Sequence, residues 1–429
     1  MKVVTVHRGA RDQYQVACAL HDAGMLDSLV TDLYWPADRS WIKGFDQVLS
    51  KKLRTKLRRR YAPALPDRAV RKCWLTGAWA FALDNSRSVP FGWQRRAMRI
   101  CDTRLGVRAA QIANAHHAAL LSYSYYAHSA FTHFKGPQPR ILFQLHPHPA
   151  SVREILSRER ELHPDCAASL DREWELALPE AEFETLVREV DMAQHWLVAS
   201  SFTRKTMVEH GVPEERIKVI PYGTDPDWFT PGVKNSSQGR ELRVLFVGTV
   251  GQRKGIKYLL KALEAFPSGS VALTVCGRVI DDFDALKEGR VPTRILRFPT
   301  SEELLNEFQA ADLFVLPSLA EGFGHVLLEA MSCGLPVIST SRTAALDLVR
   351  PGQEGFVVEP GNIVQLFESI EYFRRNPEEV RRAGAAARSR AEQFTWAQFR
   401  KGVADAVGEI IAASGIKAKA AQDVGFSAR

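Results

Sequence analysis

A chain of 429 residues exceeds the size at which one hydrophobic core usually stops growing, so two domains of roughly 200 residues each are expected, either able to bury a full core. With 45% hydrophobic and 25% charged residues the composition is that of an ordinary globular protein, which excludes disorder outside the tail. The net charge of +8 points to anionic partners, among them a nucleotide diphosphate or lipid headgroups; nucleic acid is set aside because no helix-turn-helix, finger or aromatic-basic RNA pattern accompanies the charge.

The apolar run Val3 to Val6 reaches His7 and Arg8 too soon to be the core of a signal peptide, and predicts a first strand over Lys2 to Val6. A loop His7 to Asp12 and a helix from about Gln13 to Ala23 complete one βα unit. The tract Leu49 to Arg108 is basic and aromatic, with its cations densest at Lys51, Lys52, Arg54, Lys56, Arg58, Arg59 and Arg60. Such a run is either a solvated face or a membrane-surface contact. Trp74 to Leu83 falls short of the roughly 18 apolar residues that cross a bilayer and predicts a buried or interfacial helix. Ala118 to Ser122 and Arg140 to Leu145 read as buried parallel strands whose carboxyl ends face a crevice.

Val190 to Val198 leads through Ala199, Ser200 and Ser201 into a helix near Thr203 to Glu209, stopped by Gly211 and Pro213. Ile217 to Ile220 is a further strand. The turn formers from Pro221 to Pro226 and the Gly, Ser and Asn-containing stretch up to Gly239 mark a boundary, giving domains of residues 1–222 and 223–429. The alternation then restarts with strand Leu242 to Val247 and helix Ile256 to Phe266. Strands at Val271 to Val275, Ile295 to Phe298, Leu313 to Leu316 and Val337 to Ser339 follow, with helices near Ser301 to Ala310 and His325 to Cys333. Alternation at this spacing calls for a parallel sheet covered on both faces, an α/β fold. A helical region from Pro377 to about Ala413 ends in a frayed Lys and Ala-rich tail. The six cysteines are scattered without zinc or redox spacing, which fits a cytoplasmic, reducing compartment.

Three stretches carry chemistry. In Glu321, Gly322, Phe323, Gly324, His325, Val326, Leu327, Leu328, Glu329, two carboxylates stand eight positions apart at the carboxyl end of a predicted parallel strand, where open sheets bind ligands. Gly322 and Gly324 admit close backbone approach, and a helix starting near Gly324 offers free N–H groups and the positive end of its dipole to a diphosphate. Glu329 lies roughly 7 to 8 Å along that helix, far enough from Glu321 for one carboxylate to hold sugar and the other ribose. The bland alternative is a strand-to-helix turn with two solvated glutamates.

In Gly248 to Gly255, Gly251 is too close and Gly255 replaces the hydroxyl residue of a Walker loop, which excludes an ATPase; Arg253 and Lys254 remain able to neutralise a diphosphate leaving group without a metal, or to be surface cations. His146 ends the strand Ile141 to Leu145 and can face the crevice, or be a structural His bonded to backbone. His148 makes an HxH pair with it, but no Cys, Asp or Glu stands at ligand spacing, so no zinc site is expected. His148, His116 and His117 are read as structural.

These elements, with Val219 to Asp225 and the run Glu329, Ala330, Met331, Ser332, Cys333, Gly334, Leu335, Pro336, Val337, resemble family 4 of the glycosyltransferases, most closely from about Gln194 to Gly361. The resemblance implies the GT-B fold, two Rossmann-like domains facing each other across a deep cleft, and a retaining, metal-independent enzyme without a cofactor. Its donor is a nucleotide sugar; its acceptor is a carbohydrate, a lipid-linked or a small molecule, and a peripheral site at the inner membrane face is one setting. It implies that Glu321 binds donor-sugar hydroxyls, Glu329 the ribose, the Gly322, Phe323 and Gly324 backbone the phosphates or sugar, and Lys254 with Arg253 the diphosphate. His146 matches the crevice His near the reacting carbon, and Gly9 and Ala10 the acceptor-side loop. Three positions depart from the family pattern: Thr249 replaces an Arg, Ala10 the second glycine of the first loop, and Ala344, Ala345 and Asp347 a run with glycines and a Glu. The rival readings are a nucleotide-sugar epimerase or phosphorylase on the same architecture, and a non-catalytic nucleotide-sugar-binding protein.

Overall fold

Short strands that are apolar on both faces can be buried only in a sheet covered on both sides, and the chain builds two of these. The computed structural model describes residues 1–36, 39, 49–84, 86, 89–232, 241–281 and 289–426; the linker expected up to Gly239 lies, from residue 233 on, outside them. The first sheet holds β1 (Val3–Val6), β2 (Leu26–Thr31), β3 (Val70–Lys72), β4 (Ala119–Tyr123), β5 (Arg140–Gln144), β6 (His195–Val198) and β7 (Ile217–Val219) in the order β3-β2-β1-β4-β5-β6-β7. The second holds β8 (Leu242–Val247), β9 (Val271–Cys276), β10 (Thr293–Leu296), β11 (Leu313–Leu316), β12 (Val337–Thr340) and β13 (Gly355–Val358) in the order β10-β9-β8-β11-β12-β13. Neighbouring strands pair in parallel throughout, as the expected α/β architecture requires. In both sheets the first strand in the chain lies inside the sheet and the order reverses beside it, between β1 and β4 and between β8 and β11.

Some elements differ from expectation for identifiable reasons. β3 is a three-residue edge strand with Arg71 exposed, too short to carry a pattern, and β2 is interrupted by Asp27 and Ser28. β10 ends two residues early because Phe298 turns into the left-handed region at φ 58° and is 73% exposed. The terminal helical region divides into Pro377–Ala391 and Trp396–Phe426, so helix continues beyond the point where fraying was expected.

That division has a function in the architecture. The last helix leaves the second sheet and lies on the Gln15–Asp22 helix of the first, where Arg400 donates to Gln15 at 2.9 Å. Phe399, 1% exposed, packs there against Tyr222 and Phe143. The chain therefore crosses between the sheets twice, and the two crossings touch: Thr224 N–H donates to the Phe394 carbonyl at 2.9 Å, and a Cβ on Gly223 would lie 2.3 Å from the Trp396 nitrogen. Replacing Phe399 by Ala should cost about 3–5 kcal/mol, the range for deleting a buried Phe, and lower the melting temperature of the whole chain; an unchanged thermal transition would show that this packing does not tie the last helix down.

Candidate active site between the two sheets

Open parallel sheets bind ligands outside the carboxyl ends of their strands where the strand order reverses. In the second sheet that point is flanked by the loop after β8, residues 248–255, and the loop after β11, residues 317–324. The two loops are joined tightly, with Leu319 N–H donating to the Arg253 carbonyl at 2.8 Å and Gly255 so close to Pro317 that a Cβ would fall 1.9 Å from its carbonyl oxygen. Gly255 has φ 71°, so both its conformation and its space require glycine.

This junction brings Lys254 and Glu321 into a direct ion pair. Arg253 lies beside it, donating to the Ala320 carbonyl at 3.1 Å. Glu321 is 8% exposed; burial alone would raise its carboxyl, but the Lys254 ammonium and the Arg253 guanidinium hold it down at about 2. Burial pulls the Lys254 ammonium below its ordinary value while Glu321 opposes that pull. The structure thus groups Arg253, Lys254 and Glu321 at one place.

Gly324, at φ 85°, caps the His325–Ser332 helix, and a Cβ on it would lie 3.5 Å from the Glu321 side chain, so the helix start opens next to the ion pair. Glu329 sits farther along that helix, and burial raises its carboxyl to about 7. The Phe323 side chain is 3% exposed and packs edge-on to Tyr222, so its backbone is what it can offer a ligand.

The first sheet meets this cluster at the end of β5. A Cβ on Gly322 would fall 2.0 Å from the Leu145 carbonyl oxygen and 3.1 Å from the His146 Cα, a contact that only glycine permits. The Gly322 carbonyl accepts from Ser200 Oγ at 2.6 Å and Thr203 Oγ1 at 3.2 Å, both at the start of the Ser201–Glu209 helix. His146 is therefore held opposite Glu321. Burial, reinforced by Arg253, pulls its imidazole down to about 3, so it is neutral at ordinary pH. Tyr125 stands edge-on to the ring at 5.5 Å and donates to Glu175 at 2.8 Å.

Gly9 and Ala10 lie on the loop after β1, also at the carboxyl edge of the first sheet, where the adjacent Arg11 bears on His146. Gly9 N–H donates to Asp32 at 2.9 Å beside the Arg60–Asp32 pair, and Ala10 packs against the core. Past them, Asp12, Gln13 and Tyr14 are consecutive left-handed residues, each costing about 1–2 kcal/mol. His148 is structural in this fold, stacked on His210 at 4.0 Å and capping the Pro149–Leu162 helix.

Several partners carried no signal in the sequence because they are far apart along it. Glu173 pairs with Arg253 at 3.0 Å. Glu159 accepts from Gln252 at 2.6 Å and Tyr258 at 2.8 Å, and Lys257 reaches Asp165 at 2.6 Å, so residues 159–173 of the first domain seat on residues 252–258 of the second. Asp347, one of the three departures noted above, accepts from Ser201 N–H at 2.9 Å and Oγ at 2.5 Å, a second tie across the domains.

Two Rossmann-like sheets facing across this site define the GT-B fold. The chain aligns with the sucrose-phosphate synthase of Thermosynechococcus elongatus at TM-score 0.65 and 18% identity, over 96% of this chain and 100% of that one. It aligns with Anabaena HepE in complex with UDP at TM-score 0.60 and 18% identity, over 95% and 100%. Residues 233–390, which contain Arg253, Lys254, Glu321 and Glu329, match the family model described as Glycosyl transferases group 1. Among curated proteins, the D-inositol 3-phosphate glycosyltransferase of Mycolicibacterium smegmatis is 30% identical over 48% of this chain and 51% of its own length. The sulfoquinovosyl transferase SQD2 of Arabidopsis thaliana is 26% identical over 47% and 41%. The chain thus spans about half the length of the curated relatives it matches.

Two measurements follow from the electrostatics. Glu173→Gln removes a competing carboxylate from Arg253 while keeping its shape, and should tighten binding of a nucleoside diphosphate about fivefold by calorimetry, the equivalent of roughly 1 kcal/mol; equal or weaker binding would mean that Glu173 does not compete. A carboxyl raised by folding costs stability wherever the unfolded chain is already ionised, so the cost of Glu329 is absent below about pH 4 and complete above about pH 7. Glu329→Gln should therefore raise the melting temperature at pH 8 by a few degrees and leave it unchanged at pH 4; no gain at pH 8 counts against this account.

Proposed function

We propose that this chain is a retaining, metal-independent glycosyltransferase of family 4, moving a sugar from a nucleotide-sugar donor to a hydroxylated acceptor. The observation that carries the reading is the convergence of Lys254, Arg253, Glu321 and a helix start at the strand-order reversal of the second sheet, opposite His146. Two cations and free helix N–H groups suit a diphosphate, and a carboxylate kept ionised beside them suits the hydroxyls of the sugar it carries. The group 1 match over residues 233–390 supports transfer over epimerisation, phosphorolysis or simple binding.

In this mechanism the bond from the anomeric carbon to the diphosphate oxygen breaks, and its electron pair leaves with the nucleoside diphosphate. Lys254, Arg253 and the N–H groups after Gly324 stabilise that charge in place of a metal ion. The acceptor hydroxyl forms the new C–O bond on the face that the diphosphate leaves, and its proton passes to the departing phosphate oxygen. Configuration is retained without a covalent enzyme intermediate. Neutral His146 serves as a hydrogen-bonding group against the donor sugar and carries no charge of its own. Glu329 holds the ribose, its carboxylate accepting hydrogen bonds from the ribose hydroxyls. Gly9 and Ala10 border the acceptor, at the carboxyl edge of the first sheet.

The HepE complexes with UDP and with UDP-glucose make a uridine donor the first to test, and the inositol phosphate transferases make a sugar or phosphosugar a reasonable acceptor. Six free cysteines support a reducing, cytoplasmic setting. Glu321→Gln and Lys254→Ala should each lower transfer about 10²–10³-fold, the cost of losing one preorganised charge partner, while chelator leaves the wild-type rate unchanged. Removing one member of a buried pair also destabilises by about 3–5 kcal/mol, so circular dichroism must first establish that each variant is folded. Near-normal transfer by both folded variants, or loss of wild-type activity in chelator, refutes the mechanism.

A further inference from the structure

The sixteen Lys and Arg residues between positions 51 and 108 outnumber the three acidic ones by thirteen, more than the +8 of the entire chain, so the rest of the molecule is net acidic. Two of those acids are occupied: Asp102 pairs with Arg8 at 2.8 Å and Asp67 with Arg39 at 2.6 Å. Among the described residues, the same segment holds most of the large exposed apolar side chains of the first domain. Leu75 is 89% exposed, Trp93 63%, Trp79 44% and Trp74 37%.

Their placement is regular. On the Trp74–Asp84 helix, Trp74, Leu75, Ala78, Trp79 and Ala82 are exposed at helical spacing and form one stripe. The Phe91–Ala115 helix packs against it and exposes Trp93 and Ile100, two turns apart, among the exposed cations Arg96, Arg99 and Arg104. The buried side of the first helix is used: Gly77 abuts Asp32, where a Cβ would fall 2.8 Å from the backbone, and Ala80 is 1% exposed. Trp74 keeps a ring contact with the buried Trp35 at 6.3 Å, but the exposure of Trp79 and Trp93 is not explained by packing in the core.

We propose that this two-helix face is a docking surface for an anionic lipid bilayer. Tryptophan side chains favour the bilayer interface, where a ring can be apolar on its body and wet at its N–H, and surrounding arginines meet acidic headgroups. An eleven-residue helix is too short to cross, and none of the described helices is long and apolar enough to do so, so the face lies on the surface and does not span it. A second copy of this chain is a poor occupant, because a two-fold axis through the patch would set its arginines against one another. The Trp74–Asp84 helix begins directly after β3, at the same carboxyl edge of the first sheet as Gly9, whose N–H shares Asp32 with Arg60. Docking there turns the rim of the first domain toward the membrane.

The test uses the full chain and vesicles of phosphatidylcholine alone or of equimolar phosphatidylcholine and phosphatidylglycerol. Wild type should co-sediment with the anionic vesicles only, less at higher salt, with a blue shift of tryptophan fluorescence. The pairs Trp79→Ser with Trp93→Ser and Arg96→Glu with Arg104→Glu should each lower partitioning about tenfold or more, without changing the thermal transition. Folded wild type that stays in the supernatant overturns the proposal, as does partitioning that neither pair affects. A sedimenting dimer that the tryptophan pair dissolves also overturns it, assigning the face to a second copy. Vesicle binding needs neither donor nor turnover, so its failure leaves the proposed transfer reaction untouched.

Discussion

A carboxylate withdrawn from water must find a cation, hydrogen-bond donors or a proton, and for Glu321 the Lys254 ammonium meets that demand where the second sheet opens between its central strands. The loops after β8 and β11 are separated by more than sixty residues of chain, yet they are locked together by glycines that leave no room for a side chain. Lose one member of the pair and the other is left a buried charge without that partner. Much else follows from it: the nearness of Arg253, the opening of the helix after Gly324, and the line along which His146 faces the cluster from the other sheet.

The cleft is neutralised from within. Lys254 is answered by Glu321 and Arg253 by Glu173, a residue of the opposite domain. In the proposed reading, a diphosphate arriving at Arg253 would replace Glu173 as its partner. The seating of residues 159–173 on residues 252–258, with the Asp347–Ser201 and Gly322–Ser200 contacts, holds the domains together around the same point. Interdomain cohesion and the electrostatics of the site therefore share residues. Glu329 shows the corresponding cost, a carboxyl that burial raises to about 7.

Strand periods, the Gly, Phe, Gly turn between two glutamates and the absence of a Walker pattern were legible in the chain because they are local. β8, β9, β11 and β12 lie within a residue or so of where alternation of apolar runs puts them, since a strand buried on both faces needs an uninterrupted apolar run. β2, β3 and β13 were not legible: they are short or mixed in polarity and exist because neighbouring strands supply their hydrogen bonds. The bend that frees the last helix likewise has no local cause strong enough to read, and depends on Thr224 and Gly223 meeting Phe394 to Trp396.

The sequence by itself therefore determined an α/β chain of two halves, a candidate phosphate-binding turn, and the residue types able to serve it. Only tertiary structure decided that Lys254 is paired with Glu321, that Arg253 is held by Glu173, that Phe323 is core, and that Trp79 and Trp93 look outward together. The reason is physical: backbone propensity and side-chain period act over a few residues, whereas charge pairing, close backbone approach and surface clustering depend on distances in space that chain separation does not encode.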